Sequence, residues 1–114
     1  MSYGQMTQLE LELRESSKAR PEAFLHESLA IMKQRASQRG HSNTENSFGK
    51  IANTFNELTG KDLNSKDVAV FMAVLKLVRH YNGKKFDRDD FVDAISYLAF
   101  AGSEAQFAHN SLLR

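Results

Sequence analysis

DVAVFMAVLKLVRH, residues 67–80, is the stretch on which the fold turns. Between Val68 and Val78 only Lys76 interrupts an apolar run that points in nearly every direction of a helical wheel. Its β-branched residues would also suit a buried strand, but the run is longer than a typical strand of about 5–6 residues. Asn64 or Ser65 ahead of it and Asn82-Gly83 behind it are helix-capping residues. The expectation is a helix over about 66–81, and a helix apolar on every side belongs at the centre of a fold.

Downstream, DRDDFVDAISYLAF (87–100) continues the helical pattern over about 88–101, with Asp87 as N-cap and Gly102 as stop. A short further helix is expected from Ser103. Upstream, residues 43–59 put Phe48, Ile51, Ala52, Phe55 and Leu58 on one face. Ser42 with Glu45 three residues on is a capping-box signature, and Gly60 ends the segment. Gly49 inside it would suit a close helix crossing. Before that, residues 20–38 form a helix opened by Pro21, striped by Leu25, Leu29 and Met32, and closed at Gly40. Residues 1–16 alternate Leu9, Leu11 and Leu13 with charges, a period of two without a second strand to pair with. They read as a flexible arm or helical extension, or alternatively as an arm that pairs against a second subunit. The fold class expected is all-α: a compact bundle of four to five helices, with one domain over 17–114.

Composition narrows the function classes. The 114 residues carry 15 basic and 14 acidic side chains, a net charge of +1, which lacks the basic surplus of a dedicated nucleic-acid binder. Nucleic-acid binding through Lys33, Arg35 and Arg39 at the end of the first long helix therefore ranks lowest. With no cysteine, disulfides, thiolate zinc sites and cysteine nucleophiles are excluded. No apolar run reaches the roughly 20 residues of a membrane span, and residues 1–17 lack the order of a signal peptide. A cytoplasmic protein is expected, lying in the host cytoplasm if phage-encoded.

The polar groups raise the functional question. At about 100° per residue, Lys76 and Arg79 stand within roughly 60° of each other on the helix of residues 66–81. They either snorkel to water beside the helix end or face Asp90 and Asp93 across the short turn. Asp89, Asp90, Asp93, Ser96 and Tyr97 make one polar stripe, and Phe91, Ala94, Ile95 and Leu98 an apolar one. Aspartates three apart project to one side and can share a magnesium ion, with Asp67 or Glu45 completing the set. First-turn acids also answer the helix dipole without any ligand. Lys76, Arg79, Tyr97 and Asn46 are the candidates for phosphate contact or for a salt-bridge network. The four histidines show no zinc spacing.

Three blocks, ENSFGKIAN (45–53), DVAVFMAVLKLVRH (67–80) and DFVDAISYLAF (90–100), resemble a small family of uncharacterised proteins common in phage and prophage genomes. More remotely, the last block is similar to the second metal-binding helix of the MazG-like and dimeric dUTPase-like all-α nucleotide pyrophosphohydrolases. That resemblance implies magnesium held by an ExxE helix and an ExxD helix, and cleavage of nucleoside triphosphates to monophosphate and pyrophosphate. DFVD (90–93) matches ExxD with aspartate first, whereas the helices of 43–59 and 66–81 contain no ExxE; ELRE (12–15) has the spacing but lies in the arm. Two functions follow nearly level: a protein–protein interaction protein that modulates a host or defence protein, and a magnesium-dependent nucleotide binder or pyrophosphohydrolase. A homodimer would cover the apolar central helix most easily.

Overall fold

The computed structural model describes residues 7–39 and 43–113, leaving aside the side chains of 13–16, 38, 39 and 43–46. Five helices follow in order: α1 (Gln8–Ala19), α2 (Pro21–Arg39), α3 (Asn43–Thr59), α4 (Ser65–Asn82) and α5 (Arg88–Leu112). No strand occurs among the described residues, so the all-α expectation holds. Among the described residues no helix is long and apolar enough to cross a membrane.

The helix ends follow local chemistry. Arg20, ahead of Pro21, is extended (φ −70°, ψ 146°), as a residue before proline prefers, and this separates α1 from α2. Residues 8–16 are helical and continue without a break to Ala19. Asn64 caps α4 through a reciprocal pair in which its side chain accepts from the Asp67 amide and Asp67 accepts from the Asn64 amide, each at 3.0 Å. Gly60 takes φ 71° after α3, the left-handed conformation that only glycine adopts cheaply. Beyond it, Asn56 accepts from the Leu63 amide and donates to the Leu63 carbonyl, both at 2.8 Å, closing the turn into α4.

Two expectations about glycines need correction. Gly102 does not end a helix: it is helical, and α5 runs unbroken for 25 residues. Glycine ends a helix when the chain must turn away, and here the chain continues straight. Gly49 serves no close crossing, since a Cβ there would meet nothing within 4 Å. The Ser42–Glu45 capping box lies outside the described residues.

α4 and α5 form the antiparallel heart of the molecule, with α3 against α4, α2 against the other flank of α5, and α1 against α2. The α3–α4–α5 core consists of Phe48, Ala52, Val68, Ala69 and Ala101, with Leu63, Met72, Tyr97 and Phe100 packed around it. Phe48 meets the rings of Tyr97 at 5.9 Å and Phe100 at 5.2 Å. Small residues at the α4–α5 contact let the backbones approach closely, at a cost in buried area. Among the described residues only Phe48, Val68 and Val92 of the buried apolar side chains are larger than alanine.

The expected central helix is therefore covered on one side only. Val68, Ala69 and Ala73 are buried, whereas Val70, Phe71, Val74, Leu75 and Val78 are exposed. The molecule measures 66 × 36 × 27 Å with a radius of gyration of 18.8 Å, against about 13 Å for a compact chain of this length. Its accessible surface is 9062 Å², where a compact 12.9 kDa monomer would expose about 6,300 Å².

Candidate functional site

The charged candidates gather where α4 ends and α5 begins. The Gly83 amide donates to the Arg79 carbonyl at 2.9 Å, and a Cβ on Gly83 would stand 2.9 Å from that same oxygen. Asp87 then opens α5, its side chain accepting from the Asp89 amide at 3.0 Å. Between these two caps the chain presents Lys84 and Lys85. Arg79, Gly83, Lys84, Lys85, Asp87 and Asp90 line an open recess of about 440 Å³.

Asp90 is the unusual member. It is only 5% exposed, and no ion pair or side-chain hydrogen bond joins it to another described residue. Its carboxylate is not sealed off, since Asp90 lines the recess. Its open side faces a recess bearing three cations, which places positive charge close without a direct bond. Asp93, one turn on, is taken up by Lys76 at 3.0 Å, each side chain 15% exposed.

The remaining candidates divide. Arg79 joins the recess. Tyr97 packs with the aromatic core of α3 instead. Asp67 is held in the α4 cap, about 13.5 Å along the helix from Lys76 at 1.5 Å per residue. Glu45 and Asn46 stand in the first turn of α3, with side chains outside the described residues. Among the described residues no group of three or more histidine, aspartate or glutamate side chains is placed to hold a metal.

The polar stripe of α5 is neither its wet side nor a single site. Asp90 and Asp93 face α4, while Ser96 is buried against α2. Ser96 donates to the Val92 carbonyl at 3.1 Å, so its contact with Ser28 at 2.6 Å has Ser28 as donor. The apolar stripe is split in the same way: Ala94 is buried, Phe91 and Ile95 are half-buried, and Leu98 alone is more than half exposed.

Several residues escaped the sequence reading. Arg88 ties three segments together: it pairs with Glu27, donates to the Lys18 carbonyl at 2.8 Å, and lies 3.9 Å over the Phe24 ring. His80 packs 4.5 Å from the Phe91 ring, with its Nδ1 buried and unbonded among the described residues. Lys84-Lys85 was the signal available in the sequence, two cations in a connection between facing helix caps. Beside Arg88 lies a second recess of about 440 Å³, lined by Ala19, Pro21, Phe24, Leu25, Phe86, Phe91 and Ile95.

A family model matches residues 24–105. The chain belongs to that family, described as Domain of unknown function (DUF6378). The DUF6378 match takes in most of α2, so the family unit begins earlier than the three sequence blocks suggest, and it contains both recess-forming ends of α4 and α5. No curated protein and no solved structure matches the chain.

Proposed function

We propose that this chain is an interaction protein that holds a partner protein through apolar surface left uncovered by its own fold. The observation that carries this reading is the groove between α2 and α5, apolar in every lining residue, with Phe86 at its edge 66% exposed. A mostly apolar cleft of this volume is the form that binding sites commonly take. An amphipathic helix or apolar segment of the partner would fill it, with Arg88 and Glu27 fixing the α2–α5 spacing beneath. The resemblance to phage and prophage proteins makes a host or defence protein in the cytoplasm the class of partner. The test is affinity capture from host lysate with the wild-type chain and with Phe86→Asp. A protein captured by the first and lost by the second, with helicity unchanged, is the expected result. Identical captured sets would sink the reading.

A second reading is favoured by one specific observation, the Asp90 carboxylate that opens, without an ion pair, onto a recess lined by Arg79, Lys84 and Lys85. This arrangement suits a nucleotide phosphate accompanied by magnesium, because magnesium is usually held by one or two carboxylates together with substrate phosphates. Asp90 would supply the carboxylate and the three cations the phosphate contacts. Asp93 and Asp67 are committed elsewhere, which favours binding over pyrophosphohydrolysis. Calorimetric titration with nucleoside triphosphate and magnesium tests it. Heat of binding that disappears in Asp90→Asn supports it, and no heat with the wild-type chain refutes it.

A further inference from the structure

We infer that the outer face of α4 is the seam of a homodimer, covered by the same face of a second copy. This goes beyond the partner-binding reading and uses a different surface.

The residues carry the geometry. Phe71, Val74, Val78 and Tyr81 follow one another at spacings of three, four and three, the seam pattern of two helices packed at a shallow left-handed crossing. Val70 and Leu75 flank them, and all six are exposed in the single chain. From Val70 to Tyr81 the seam is about 16 Å long at 1.5 Å per residue.

The occupant follows from charge and area. No charged side chain interrupts this face: Lys76 turns inward to Asp93 and Arg79 turns to the recess. A two-fold axis sets like residues against like, so an uncharged face pairs with its own copy without repulsion. The surface in excess of a compact monomer is roughly 2,700 Å², enough to supply the about 1,000–2,500 Å² per chain that obligate dimers bury. Exposed large apolar side chains occur on all five helices, and the α4 face carries six of them. A buried core made largely of alanine also needs its cover whenever the chain folds, and a second copy is the partner always present in equal amount.

The absence of cysteine makes the test clean. Sedimentation equilibrium of the full chain is expected to give twice the mass of one chain. Val74→Cys/Val78→Cys, oxidised, is expected to yield a covalent dimer whichever way the helices run, while Glu57→Cys on α3 remains largely single. A wild-type chain of single mass overturns the inference, even should the cysteine variant fail to fold. A dimer cross-linked through Glu57→Cys and not through α4 overturns the placement. Neither result touches the Phe86 experiment, so the two readings fail separately.

Discussion

At the scale of single residues, Ser28 and Ser96 show how direction matters in a buried hydrogen bond. Ser28 is 1% exposed and its hydroxyl depends on Ser96, whereas Ser96 keeps its own bond to the Val92 carbonyl whether or not Ser28 is present. Leaving a buried donor unsatisfied costs about 1–3 kcal/mol. Ser96→Ala is therefore expected to lower stability by about 2 kcal/mol and Ser28→Ala by clearly less, compared by urea unfolding at equal protein concentration. Equal losses would contradict the assigned direction. Little of this was legible in the sequence, because a serine on a helix reads as exposed until its neighbouring helix is known. Lys76 with Asp93 was legible as one of two alternatives, the other being a cation that snorkels to water, and the pair formed.

At the scale of elements, α2, α3 and α4 could be read within a residue or so of their ends, because proline, asparagine and glycine stand where helix termini need them. α5 could not. Its sequence offered Gly102 followed by Ser103 and Glu104, a stop and a fresh start, yet backbone hydrogen bonding carries through them. Propensity is a weak prior, and glycine in a helix costs only about 1 kcal/mol, a loss that continuing the bonding of α5 on both sides can offset. The faces of α5 were harder still. Its polar stripe looked like a site or a solvent side, and it became the line along which α5 meets α4 and α2. A carboxylate pair one turn apart, Asp90 and Asp93, thus splits into one residue spent on Lys76 and one left facing a cationic recess. For the candidate site, the sequence supplied Asp90, Asp93, Lys76 and Arg79 but not Lys84 and Lys85, whose position depends on how the two caps fold the connection.

At the scale of the whole molecule, the all-α class was legible from hydrophobic periodicity, whereas the thinness of the core was not. The apolar count of α4 implied cover on every side; the chain supplies it on one side, with alanines, and leaves the larger side chains outward. On the inferred dimer, a bundle so built draws its stability from association, and that dependence has a direct signature. Where folding and dimerisation are coupled, the melting temperature rises with protein concentration by mass action. The decisive measurement is thermal unfolding of the wild-type chain, followed by circular dichroism at concentrations spanning about two decades. The expected result is a single transition whose midpoint climbs steadily with concentration. A midpoint that stays fixed across the series, with helicity intact at the lowest concentration, would contradict the account.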